Sequence, residues 1–203
     1  MYKKYFIEKI FLKIYYIFTS LYFSKFHKIH LGKNCKIALS ATIRGNVILG
    51  NNVTIGKYTN ITGNVFIGDK TYIGDYSRLN TMIEGSITIE NNCHINVYNI
   101  IGSSEKVFIK KNALFAAGVK ITDASHKIDD ITIMTKDAVF TSKEVIIGEN
   151  CWLGFDVNII MGGQIGQNCV IGSKAVVNKK IPSNSIAVGI PAKVIKKRDT
   201  IEK

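Results

Sequence analysis

Four histidines are the first places to look for chemistry, because imidazole changes charge near neutral pH and so can serve as a general base. They are His27, His30, His94 and His126. His126 stands in the run Thr122-Asp123-Ala124-Ser125-His126-Lys127-Ile128-Asp129-Asp130, where a regular apolar pattern gives way to a polar stretch. A base also needs an orienting group on its other ring nitrogen. Asp123, Asp129 and Asp130 are candidates by proximity, as are nearby backbone carbonyls, and each aspartate could equally be a solvated loop carboxylate. His27 and His30 fall where an aromatic N-terminal stretch meets the regular pattern, and packing or surface roles suit them better. The cysteines Cys35, Cys93, Cys151 and Cys169 form no CxxC pair, so no zinc site is expected.

The elements that must carry these residues are announced by a beat of six. Large aliphatics stand at Leu31, Ile37, Ile43, Leu49, Ile55, Ile61, Ile67, Ile73 and Leu79. The beat resumes at Ile89, Ile95 and Ile101, then at Ile109, Phe115 and Ile121, and finally from Ile147 through Leu153, Ile159, Ile165 and Ile171 to Val177. A helix repeats every 3.6 residues and a strand every two, so neither alone demands six. A coil of three short strands, six residues each, does. Four places after the aliphatic there is usually a small or β-branched residue, and all four cysteines occupy that slot as small hydrophobes. The place just after the aliphatic is often Gly, as at Gly56, Gly74 and Gly172, which is read as the backbone freedom a tight corner needs.

At 203 residues and with two prolines, the chain suits one ordered domain. Net charge is +12, with lysines gathered near both ends, which favours phosphates or an anionic membrane. No nucleic-acid-binding signature accompanies them, and no nucleic-acid partner is expected. Residues 1–30 read as an N-terminal amphipathic helical cap over the open end of the coil, or as an interfacial helix in peripheral membrane contact. The uncharged run Ile14 to Ser24 is too short to span a bilayer. No secretory signal is apparent, so the expected location is cytoplasmic, with the inner membrane face as the place of any contact. The coil is expected over 31–182, interrupted by a protruding loop at about 127–145, with a basic tail over 183–203.

The most specific text lies late in the chain. It comprises Trp152-Leu153-Gly154, Ile165-Gly166-Gln167-Asn168-Cys169-Val170-Ile171-Gly172-Ser173, Val176-Val177-Asn178-Lys179-Lys180-Ile181-Pro182 and Gly189-Ile190-Pro191-Ala192-Lys193-Val194-Ile195. This resembles the hexapeptide-repeat acyltransferases, in particular the sugar and polysaccharide O-acetyltransferases, over roughly residues 31–198. The resemblance implies an all-β chain folded as a left-handed parallel β-helix and assembled as a homotrimer with active sites between subunits. It implies acetyl-CoA as co-substrate, a carbohydrate acceptor and His126 as the catalytic base. By the same matching, Asn96 holds the acceptor, with His94, Asp123 and Asp129 near it. Trp152 lines the acyl end of the cleft, Ser173, Asn178 and Lys179 follow the coenzyme arm, and Lys193 and Lys196 face its phosphates.

The implied reaction is acetyl transfer to a sugar hydroxyl of a surface polysaccharide or its precursor. N-acetylation of a nucleotide-linked amino sugar and acetylation of an antibiotic stand as alternatives. A zinc enzyme on the same coil needs three histidines across an interface, which His94 and His126 do not supply. One departure is Gly172-Ser173-Lys174 where many relatives read Ala-Gly-Ser; the extra lysine bears on phosphate contact.

Overall fold

The computed structural model describes residues 14–19, 22, 29–82, 84–127 and 140–198. Its strands stack into three sheets of eight, nine and seven strands, parallel throughout except for the last strand of the nine, and these sheets are the faces of a triangular prism wound as a left-handed β-helix. We call them the first, second and third face, in the order in which Leu31, Ile37 and Ile43 enter them. Equivalent beat residues of successive rungs lie opposite one another: Ile37 faces Ile55 and Ile55 faces Ile73. Parallel pairing of this kind leaves every inward side chain above its counterpart one rung away.

The beat residues form the core. Ile37, Ile61, Ile67, Ile73, Leu79 and Phe115 are fully buried, and each such side chain contributes about 1.5–3 kcal/mol relative to remaining in water. The small slot two residues before each one also points inward, as the buried Val47 and Leu49 on either side of the exposed Ile48 show. Each six-residue segment therefore sends in two side chains, one large and one small, because a strand alternates its faces. The prism is narrow, and the pairing of large with small fills it.

The frequent glycines have a different cause from the one expected. Gly32, Gly50, Gly56 and Gly74 do not adopt positive φ; the left-handed residue of each corner comes two places later, at Asn34, Asn52, Tyr58 and Tyr76. What these glycines supply is space. A Cβ at Gly74 would lie 2.5 Å from the carbonyl carbon of Asn96 in the next rung. Corners stacked one strand spacing apart leave no room for it.

All four cysteines stand in one inward column and are at most 5% exposed. Each Sγ donates to a carbonyl of the following rung, among them Cys93 to Lys110 at 3.3 Å and Cys151 to Gly166 at 3.0 Å. Burial pushes the Cys93 thiol up to about 11. In the folded protein at pH 8, none of the four is expected to react with a disulfide reagent such as DTNB on the timescale on which they all react after denaturation. Rapid labelling of any one would show that its rung opens.

The free edges are managed at the C-terminal end. Strand Lys193–Lys197 turns back antiparallel on Ser185–Val188, so the second face closes on a lysine-bearing strand that discourages edge-to-edge association. At the other end, the expected cap falls mostly on residues outside those described. The helical turn Ile14–Thr19 meets the coil through the Tyr15 hydroxyl, which accepts the Leu39 N–H at 2.8 Å. No helix among the described residues is long and apolar enough to cross a membrane.

Candidate active site

Every interruption of the beat falls at one corner of the prism, between the third and first faces. Residues 82 and 84–85, residues 103–105 and the segment after Thr122 all leave there, while the first-face strands remain in register, with Val65 opposite Ile87, Ile87 opposite Val107 and Val107 opposite Val145. The insertions are therefore absorbed where the chain turns, at no cost to the core.

Asp123 holds this corner. It is fully buried, and its carboxylate accepts three hydrogen bonds: from Ser103 Oγ at 2.7 Å, the Ser104 N–H at 2.7 Å and the Glu105 N–H at 2.9 Å. Its own carbonyl accepts the Lys143 N–H at 2.8 Å. One residue thus ties the previous rung to both legs of the protruding segment. The carboxylate expected near an acceptor or behind the imidazole is in fact taken up by its own chain, because three donors converge on it in a dry corner.

From that clamp springs an antiparallel hairpin, Ala124–His126 against Phe140–Ser142. His126 faces Phe140 across it, with ring centroids 4.2 Å apart and planes inclined at 37°. The imidazole is exposed on the single chain. Asp129 and Asp130 lie outside the described residues. Asn178 and Lys179 emerge at the same corner two rungs further on, both exposed, between Val176–Val177 and Lys180–Ile181.

The remaining candidates gather elsewhere, on the outer side of the second face and at the corner where it meets the third. His94 stacks on Tyr72 with centroids 4.7 Å apart. Leu114, Trp152 and Val170 continue that outer column in register. Trp152 is 51% exposed, so it is a surface residue of this face and not a core one. Asn96 follows at the corner; its Oδ1 accepts the Val97 N–H at 2.8 Å. Ser173 stands at the same corner higher up and accepts the Phe155 N–H through Oγ at 3.2 Å. Lys193 and Lys196, both exposed, sit on the closing strand of the second face.

The site residues thus form two groups separated by the width of the third face. Within one chain, the corner of His126, Asn178 and Lys179 does not meet the face of His94, Asn96, Trp152, Ser173, Lys193 and Lys196. Two participants were missed by sequence reasoning. Tyr72, beneath His94, shares its phase: each stands one residue before a beat aliphatic, as do Leu114 and Trp152, and that phase marks an outward column. Lys143, which closes the hairpin, has no signal beyond preceding the return of the beat. Among the described residues, no three His, Cys, Asp or Glu side chains converge as they would around a metal ion.

Comparison with known proteins agrees with this architecture. The model described as the hexapeptide repeat of succinyl-transferase matches residues 144–179 and 164–191. A Mycobacterium tuberculosis protein named as an acetyltransferase, Rv3034c, is 40% identical over 115 residues, covering 57% of this chain and 38% of its own length. Escherichia coli WbbJ, named as a lipopolysaccharide biosynthesis O-acetyl transferase, is 35% identical over 127 residues, covering 59% of this chain and 65% of its own. The chain thus spans between about two fifths and two thirds of the length of these relatives. Among solved structures, the Bacillus cereus N-acyltransferase AntD, in complex with dTDP and coenzyme A, superposes with a TM-score of 0.60 at 21% identity, covering 89% of each chain, which is a likeness of fold. With its six-residue beat realised as a stacked three-faced coil, the chain is similar in its repeat to the succinyl-transferase hexapeptide model and, over somewhat more than half of its length, to proteins named as acetyltransferases.

Proposed function

We propose that this protein is an acetyl-CoA-dependent O-acetyltransferase acting on a sugar hydroxyl of a surface polysaccharide or its precursor. The observation that carries the reading is the hairpin. A chain otherwise committed to a regular coil departs from it most at one corner, and there it places an imidazole on a clamped, two-stranded support. Precise placement of a base is what such a support achieves. WbbJ, whose name refers to lipopolysaccharide, supports the carbohydrate class.

In this reading His126 takes the proton of the acceptor hydroxyl as its oxygen attacks the thioester carbonyl. Backbone N–H groups at the coil edge hold the tetrahedral oxyanion. When the carbon–sulfur bond breaks, the imidazolium returns the proton to the departing sulfur, and the products are the acetyl ester and a free thiol. The separation of the two residue groups requires a second copy. A neighbour that sets its His126 corner against this copy's second face unites the base with Asn96, Trp152 and Ser173, and a homotrimer satisfies this three times over. Lys174, Lys193 and Lys196 are exposed along this copy's path from Ser173 to the closing strand, and Lys179 is exposed at the corner the neighbour would present, a set of cations that suits the coenzyme phosphates. The outward Ile14, Ile17 and Phe18, with lysines on either side of them in the sequence, suit peripheral contact with an anionic membrane that carries the acceptor.

The test is free-thiol release from acetyl-CoA by the purified protein, with a panel of sugars, nucleotide-linked amino sugars and antibiotics as acceptors. Release that depends on a sugar hydroxyl supports the reading; acceptance of an amino sugar alone converts it to N-acetylation. An absence of saturable acetyl-CoA binding would sink it. Replacing Lys193 and Lys196 together with alanine is expected to raise the coenzyme KM while changing kcat little, since both contact phosphate equally in ground and transition states. An unchanged KM removes the two lysines from the site.

A further inference from the structure

The corner between the second and third faces carries three tyrosines in succession where steric demands argue against them. Tyr58, Tyr76 and Tyr98 have φ of 56°, 58° and 60°, the left-handed region that disfavours bulky side chains. At the corner between the first and second faces, the same backbone position is met mostly by asparagine: Asn34, Asn52, Asn92, Asn112, Asn150 and Asn168. There the amides bond to one another from rung to rung, as Asn92 does to Asn112 at 2.8 Å. The tyrosines instead stack, with ring centroids 5.1 Å and 5.2 Å apart and planes within 19° and 11° of parallel. They remain 59%, 49% and 58% exposed. A residue held in an unfavourable conformation without being buried points to a use outside the core.

The ladder also has a direction. In the rung above Tyr98 the corner position is Gly118, whose N–H donates to the Val97 carbonyl at 3.2 Å and which carries no side chain to continue the stack. Asp156, one rung higher, leans its carboxylate into the space that a Cβ on Gly118 would occupy. Lys120 fixes it there, with Nζ 3.4 Å from Asp156 Oδ1 and 3.0 Å from the Gly118 carbonyl oxygen. The result is a notch with an aromatic floor, a carboxylate roof and an ammonium at its side. Asn96, proposed above to hold the acceptor, stands two residues before Tyr98 on the same corner.

We propose that the notch and the ladder below it bind an extended glycan, with one sugar ring seated over Tyr98 under Asp156 and the following units running down past Tyr76 and Tyr58. Sugar rings offer apolar C–H faces to an aromatic floor and hydroxyls to carboxylate and ammonium groups, which is the mixture present in the notch. Below it, stacked rings present their positive edges and a row of phenol hydroxyls, one per rung, to a partner rich in oxygen. Tyrosine does this with few rotatable bonds to freeze. A surface that repeats every rung is matched by a ligand that repeats as well, and this favours a polysaccharide over a compact metabolite or a folded protein partner. The inference rests on the O-acetyltransferase reading, and it specifies the acceptor as an oligosaccharide or longer chain, with binding energy drawn from units remote from the reacting hydroxyl.

The experiment measures binding without any acetyl donor, so it does not depend on turnover. Fluorescently labelled wild-type protein, Tyr58→Asn/Tyr76→Asn and Tyr98→Asn are applied to an array of bacterial surface glycans ranging from single sugars to hexasaccharides. Asparagine is the residue the other corner uses in this conformation, so folding is preserved, and circular dichroism and gel filtration check it. The wild type is expected to retain the longer glycans. The double variant should weaken that retention about tenfold while the shortest ligands still bind at Tyr98, and Tyr98→Asn should abolish both. Retention of long glycans by the double variant at the wild-type level overturns the proposal, as does a wild type that binds nothing on the array. A double variant that changes oligomeric state also overturns it, by assigning the ladder to a contact between copies. Glycan binding without thiol release would leave the ladder standing and remove the acetyltransferase; thiol release with an inert ladder would do the reverse.

Discussion

Replacing His126 with alanine is expected to lower acetyl transfer by about two to four orders of magnitude, the usual contribution of a positioned general base. Stability should hardly change. The ring is exposed and meets Phe140 across the hairpin, while the backbone of the hairpin is held by Asp123 through groups the substitution does not touch. Far-UV circular dichroism and thermal unfolding should therefore match the wild type while single-turnover thiol release collapses. The effect should fall on kcat with little change in the KM for acetyl-CoA, because in the proposed role the imidazole acts on the hydroxyl proton in the transition state and not on the coenzyme. Near-normal turnover would take the base away from position 126.

The second large effect is expected at Asp123, and it is an effect on stability first. Asp123→Ala leaves the Ser103 hydroxyl and the Ser104 and Glu105 N–H groups without their shared acceptor in a dry corner. Unmet donors of this kind, formerly bonded to a charged group, cost about 3 kcal/mol together once water reaches the outer two. For a chain of this length that corresponds to a fall in Tm of about 6–12 °C. Because the lost carboxylate is what ties the base of the hairpin to the preceding rung, catalysis should drop even at temperatures where the variant is folded. Asp123→Asn, which keeps one carbonyl acceptor, should recover part of both. If Asp123→Ala unfolds like the wild type but loses acceptor affinity, the carboxylate belongs to the substrate and not to the clamp. The two substitutions therefore separate chemistry from support: one should abolish turnover on an intact scaffold, the other should loosen the scaffold under an intact base.

Much of the scaffold was legible because it repeats. A six-residue beat of aliphatics with a small residue between them admits few packings, and the inward column of cysteines followed from the same phase. The glycines were legible as corner residues for the wrong reason: a run of Gly after each aliphatic does not say whether the corner needs positive φ or merely a missing Cβ, and only stacked rungs show that Gly74 yields to the backbone of Asn96. A lone tryptophan can pack in a core or stand on a surface, and the outward register that Trp152 shares with Leu114 and Val170 puts it on the surface. Asp123 was read as a candidate beside the imidazole or the acceptor, but its clamp could not be read, since its partners lie in an insertion of the preceding rung, eighteen to twenty residues away.

The sequence by itself determined the coil, its core and the place where the coil is interrupted, because burial in a narrow prism is enforced at every sixth residue and any lapse is visible. Which side chains share an outer surface was decided only by the tertiary structure. Outward positions obey no burial constraint, so their types carry little phase. Their grouping depends on how insertions of unequal length are absorbed at one corner, which sets His126 on one edge of the third face and Asn96, with the tyrosine ladder, on the other.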